Sequence, residues 1–144
     1  GLDNMRNEEI EGKDGFYQSI TIPGTQAQTS GHYTYFFNSY IDCEVRWVGE
    51  KHSVAGTDAG AVTVDVVVVS DGTASGSGIS VLVTTFDLKS TADTMQKKFV
   101  LDLSSNRIIK KGESLALVIT GALTSLQSVC VTLYLIPRGR GSYR

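Results

Sequence analysis

The sequence has two cysteines, two histidines, no excess of positive charge and no long apolar run, and each shortage removes a class of function. Cys43 and Cys130 are too few for a small disulfide scaffold. Alternation groups Cys43 with Ile41, Val45 and Trp47, an apolar set facing inward. It groups Cys130 with Ser128, Thr132 and Tyr134, pointing the other way. Two thiols on opposite faces do not meet the strict geometry of a disulfide, so both are expected free, as suits assembly in a reducing cytoplasm. No stretch approaches the ~18 apolar residues of a membrane span, and Gly1–Asp14 lacks the apolar region of a signal peptide, so no membrane partner is expected. A net charge of −2 leaves no electrostatic footprint for nucleic acid, and no direct nucleic-acid partner is expected.

Catalytic parts are equally scarce. Nucleophilic catalysis requires a nucleophile, a base in reach and a group that orients the base. His32 and His52 lie in no nucleophile motif, and there is no Gly-x-Ser-x-Gly elbow. His52 with Asp58 is the single base-and-orienter pair that can be drawn. No cluster of His, Cys and acid suggests a metal. Asp71-Gly72 lacks the later acidic ligands of a calcium loop. Gly72, Gly76 and Gly78 precede neither Gly-Lys-Ser/Thr nor a helix, so they make no phosphate cradle. The expectation is no enzyme, no cofactor and no metal.

What is present is alternation with period two. Phe16–Ile22 places Phe16, Ile20 and Ile22 on one face, and Pro23-Gly24 follows as a turn signal. Tyr33–Phe37 is short and aromatic. Tyr40–Val48 puts Ile41, Cys43, Val45 and Trp47 inward, with Asp42, Glu44 and Arg46 outward. Val62–Val69 ends in four valines, a sign of burial on both faces, one of them under another subunit. Asp71–Gly78 has loop composition. Ile79–Phe86 resumes a strand. Lys97–Leu103 groups Phe99, Leu101 and Leu103, and Ser114–Thr120 groups Leu115, Leu117 and Ile119. Ser128–Ile136 closes the domain before Pro137. Lys89–Gln96 is the only candidate helical turn.

These segments predict an all-β, two-sheet antiparallel sandwich of about eight strands, jelly-roll-like. Alternation alone leaves an immunoglobulin-like sandwich open. Its mark, a cysteine pair flanking a tryptophan, is missing, since Trp47 stands only four residues after Cys43. The 144 residues suit one domain, at residues 15–137. Residues 1–14 read as an acidic arm of net charge −3, and residues 138–144 as a tail carrying Arg138, Arg140 and Arg144. Frayed, solvated termini are the bland reading of both. The sharper one makes them grips on a neighbouring subunit. Candidate contacts with a neighbouring subunit or another partner are Leu2, Met5 and Ile10 in the arm, and Arg138 and Arg140 in the tail. Tyr33, Tyr35 and Phe37 join them from the aromatic cluster, with Val67 and Val69 from the valine run.

Several segments together carry a family resemblance: Tyr35-Phe36-Phe37, Cys43-Glu44-Val45, His52–Thr63 (HSVAGTDAGAVT), Gly78–Leu88, LKSTADT at 88–94, Lys111–Leu115 and TGALTSL at 120–126. Over about residues 33–136 the chain resembles small tailed-bacteriophage virion proteins described as head decoration, cement or head-fibre proteins. The resemblance implies a jelly-roll-like homotrimer bound outside a capsid and assembled in the host cytoplasm, with the major capsid protein as partner. It makes Gly56, Thr57 and Gly60 turn positions rather than a site. The competing reading is a receptor- or glycan-binding module of a phage fibre, with its aromatics as a sugar platform.

Overall fold

The computed structural model describes residues 15–25 and 33–138. In chain order its strands are β1 (Phe16–Thr25), β2 (Tyr33–Asn38), β3 (Cys43–Val54), β4 (Thr63–Val69), β5 (Ile79–Ser80), β6 (Phe86–Asp87), β7 (Gln96–Phe99), β8 (Ile108–Ile109), β9 (Ser114–Thr120) and β10 (Gln127–Pro137). Two antiparallel sheets result. Sheet A runs β1-β10-β3-β7, with β8 also on β3. Sheet B runs β2-β9-β4-β5, with β6 also on β4.

The short strands share positions. β5 and β6 lie end to end along β4, at Val67–Val68 and Thr63–Val64. β7 and β8 do the same along β3, at Trp47–Glu50 and Cys43–Glu44. Counting each pair once, the order is 1-8-3-6 in one sheet and 2-7-4-5 in the other. Successive strands change sheet at every step except the fourth, which is the winding of a jelly roll. The topology thus decides between the two sandwiches that alternation left open.

The core between the sheets is aliphatic. Leu115, Leu117 and Ile119 of β9 meet Val129, Val131, Leu133 and Leu135 of β10 across the interior, as their alternation predicts. Cys43 lies in this core and Cys130 on the other face of sheet A, and both thiols are free. A polar group is also enclosed there. Glu50 and His52 are each 1% exposed. His52 Nδ1 is 2.8 Å from Glu50 Oε2, and Nε2 is 2.9 Å from the Ser90 carbonyl. Gln96 Nε2 donates to the other Glu50 oxygen and to the Asp87 carbonyl. These bonds tie the connection from β6 to β7 onto β3, and they supply the partners that buried charge requires.

The structure departs from the predicted pattern in several places. Trp47 faces outward, not inward. Tyr134 pairs with Trp47 and Leu135 with Val45, so Arg46 is the extra residue of a β-bulge and the parity flips beyond it. The flip is also what turns Glu50 and His52 into the core. Ile79–Phe86 is not one strand, because the Ser80 hydroxyl bonds the Leu82 backbone and breaks the ladder. Phe99, Leu101 and Leu103 do not share a face. A 3-10 turn at Val100–Asp102 leaves Leu101 96% exposed while Leu103 is buried. Lys89–Gln96 forms turns rather than a helix, with Asp93 at φ +58°, outside the right-handed helical region. Pro23-Gly24 is no hairpin turn. β1 continues through it, with a register shift between Ile22 and Thr25.

Candidate interaction surface

The two sheets present unlike outer faces. On sheet B, one rung of paired residues reads Tyr35, Ala116, Val67 and Ser80. Val67 and Val69 are 4% and 2% exposed and pack with Ala116 and Val118 in a second apolar cluster. Their cover is the chain's own loop. The 3-10 turn Ser75–Ser77 lies against β2, β4 and β9. At Gly78 a Cβ would stand 2.7 Å from Val67 Cγ2, so the loop comes down at a place only glycine fits. The two-sided burial expected of the valine run is therefore met within one chain, without another subunit. Asp65 on the same strand shows how dry this face is. Burial pushes its carboxyl up, although Ser80 donates a hydrogen bond of 2.6 Å to it.

On sheet A, the equivalent rung is aromatic across the whole sheet. Tyr17 pairs with Tyr134, Tyr134 with Trp47, and Trp47 with Phe99. At about 4.8 Å per strand the four rings span roughly 14 Å. The Tyr17 and Tyr134 centroids are 4.9 Å apart. Tyr17 is 67% and Phe99 57% exposed. The next rung, Ser19, Thr132, Gly49 and Lys97, is small apart from Lys97. The Trp47 ring lies over Gly49, 2.4 Å from where a Cβ would stand, so a side chain there would displace the ring. Beside Trp47 is a mostly apolar hollow of about 150 Å³, lined chiefly by Trp47, Gly49, Met95, Cys130 and Thr132. No segment among the described residues roofs it as the 71–78 loop roofs sheet B.

Beyond the aromatic rung, Glu44 is held by Arg107 and Arg138, each at 3.0 Å. Burial opposes its charge, but the two guanidiniums prevail and lower its pKa. Lys51 and Lys97 stand on the same face, outward by parity from Glu50 and Lys98. The open face is thus aromatic in the middle and cationic around it.

The contacts expected from sequence fall in different places. Leu2, Met5, Ile10 and Arg140 lie outside the described residues. Tyr33 pairs with Val118 in β2. Tyr35 is exposed on sheet B beside Ser70 and Asp71. Phe37 packs against the core with its ring 5.8 Å from Phe16. Tyr40 sits apart, with the Lys111 ammonium 4.9 Å over its ring. The local aromatic cluster therefore does not form one patch. Arg138 alone reaches the open face. The four aromatics that do assemble are scattered in sequence, and only strand register unites them.

His52 and Asp58, the base and orienter drawn from sequence, do not pair. His52 is paired with Glu50 in the interior, while Asp58 accepts from the Gly60 backbone N–H. Burial, with help from Asp42 and against a Ser39 hydrogen bond, pushes the Cys43 thiol up, the wrong direction for a nucleophile. Among the described residues no three His, Cys or acid side chains group as metal ligands, and no helix is long and apolar enough to cross a membrane. The Gly56 and Thr57 N–H groups donate to the Leu88 and Thr124 carbonyls, which makes this segment a structural junction.

No protein-family model matches the sequence, and no curated protein does. Solved structures do resemble it. A chain in the capsid of Ralstonia phage GP4 has a TM-score of 0.64 at 11% identity, covering 88% of this chain and 86% of that one. A chain in the acidic stable capsid of Helicobacter pylori bacteriophage KHP30 has a TM-score of 0.53 at 12% identity, with 86% and 89% covered. One in the cyanophage Pam1 capsid asymmetric unit has a TM-score of 0.50 at 15% identity, with 86% and 84% covered. At such identities the likeness is one of fold.

Proposed function

We propose that this chain is a structural virion protein that binds the outside of a bacteriophage capsid as a decoration or cement protein and stabilises the head, acting as a homotrimer. The observation that carries this reading is a jelly roll with one open aromatic face, resembling over most of its length chains from three phage capsids. A non-catalytic role agrees with the enclosed histidine and the poorly ionised Cys43 thiol. The major capsid protein is the proposed partner, with no cofactor, nucleic acid or membrane. Residues 1–14 are proposed as an arm that contacts the shell or a neighbouring protomer, and residues 138–144 as a second grip. Capsid surfaces offer three-fold points, which a cyclic trimer matches.

Rebinding tests it. Purified chain is added to particles stripped of it, and the particles are sedimented and exposed to protease. The proposal predicts saturable binding in multiples of three per site, protease access from outside and higher melting temperature of the particle. Failure to co-sediment would overturn it.

A further inference from the structure

The open face of sheet A has a shape and charge that specify an occupant. Its centre is the rung Tyr17–Tyr134–Trp47–Phe99, with the apolar hollow beside Trp47. That hollow holds about 150 Å³, room for one aliphatic or thioether side chain. Around it stand Lys51, Lys97, Arg107 and Arg138, with Arg46 near enough to lower the Glu44 pKa. Two carboxylates oppose them. Glu44 is already bound by Arg107 and Arg138, and Asp102, at the rim, accepts from the Phe99 backbone. The complement of this surface is an acidic peptide with spaced apolar side chains.

The chain contains one. Residues 1–14 carry Asp3, Glu8, Glu9, Glu11 and Asp14 against Arg6 and Lys13, and include Leu2, Met5 and Ile10. We infer that the open face of sheet A is the docking site for residues 1–14 of a second copy of this chain. The site of emergence favours a second copy over the same one. Gly15 sits against the Tyr134 ring on the edge strand, at the end where β10 reaches Pro137. From there the chain's own arm would have to reverse direction, run back along β1 and cross β10 to reach the hollow. Extended, 14 residues span about 46 Å, enough to cross a neighbouring domain of about 15 Å radius of gyration. A contact from the arm of one copy to the face of the next is heterologous, and it gives a ring where the rotation between copies closes. The inference rests on the sheet face and the charge of the arm, and holds whether or not the chain serves a virion.

Cys130 lines the hollow and supplies the test, because Cys43 is buried in the core. Leu2→Cys, Met5→Cys and Ile10→Cys are made singly in the full chain and oxidised mildly in solution, away from any particle. At least one is expected to form covalent oligomers on a non-reducing gel, with the Cys130 peptide linked to the arm peptide by mass spectrometry. Adding Cys130→Ser abolishes the link. A charge swap gives a second readout. Lys51→Glu with Lys97→Glu is expected to weaken self-association in sedimentation about tenfold, and Glu8→Lys with Glu11→Lys to restore it. Links confined within one chain, or no link from any of the three positions, would overturn the inference. So would unchanged association after deletion of residues 1–14, or quenching of Trp47 fluorescence by soluble oligosaccharides that compete for the same face.

Discussion

The outer faces of sheets A and B come from the same winding and end differently. On sheet B the central rung is Tyr35, Ala116, Val67 and Ser80, and the 71–78 loop closes over it. On sheet A the rung is Tyr17, Tyr134, Trp47 and Phe99, and no described segment closes over it. Small aliphatic side chains let a backbone approach closely, and a glycine-bearing loop lies flat on them. Large aromatics stand off the sheet and present area to a partner, as Tyr, Trp and Phe do at interfaces. One face is finished by the fold, and the other is left uncovered by the described residues.

The largest test places a charge on each face in turn. Val67→Asp puts a carboxylate under the loop and should cost about 4 kcal/mol or more, measured by urea unfolding. Tyr17→Asp should change stability by less than about 1 kcal/mol. Equal losses would erase the distinction between the faces. Next in size is the interior pair behind the open face. Glu50→Ala leaves His52 buried without its carboxylate and should cost about 3 kcal/mol. Hydrogen exchange should then accelerate in β3 and β7, while β4 and β9 keep their protection.

Gly78→Val attacks the closed face through its cover. The new side chain meets Val67 Cγ2 and the Val68 carbonyl, and should cost about 2 kcal/mol. Amides around Ala116 should lose protection as the loop lifts, so that both faces become open. A pH series is gentler. Burial works against charging His52, but the Ser90 carbonyl and Glu50 outweigh it and raise its pKa. Its contribution is whole below the ordinary histidine value and is lost as pH rises through the raised one. Urea midpoints should fall as pH rises above the ordinary histidine value of about 6.5, and His52→Gln should flatten that part of the profile. Smallest is Phe99→Ser, within about 0.5 kcal/mol of the parent in stability but impaired in self-association.

Much of the sandwich was legible because burial on one face imposes period two. Leu115, Leu117 and Ile119 were placed correctly from alternation, as were Val129 to Leu135 and the opposite aspects of Cys43 and Cys130. The failures have local causes. One extra residue at Arg46 inverts everything after it, and alternation has no means of detecting it. Ser80 and Asp102 interrupt strands through side-chain bonds to nearby backbone, which an apolar pattern does not record. The open face was not legible at all. Tyr17, Trp47, Phe99 and Tyr134 become neighbours only through the register of four strands, whereas the conspicuous run from Tyr33 to Tyr40 divides between core, sheet B and a separate loop. The valine run was read correctly as doubly buried, but its cover was the glycine-rich loop that composition marked only as a connection.

The most direct test of the proposed virion role is quantitative mass spectrometry of purified phage particles from the source of this chain. The chain is expected in every particle, at a fixed ratio to the major capsid protein and in multiples of three per capsid site. Its absence from purified particles would contradict the account.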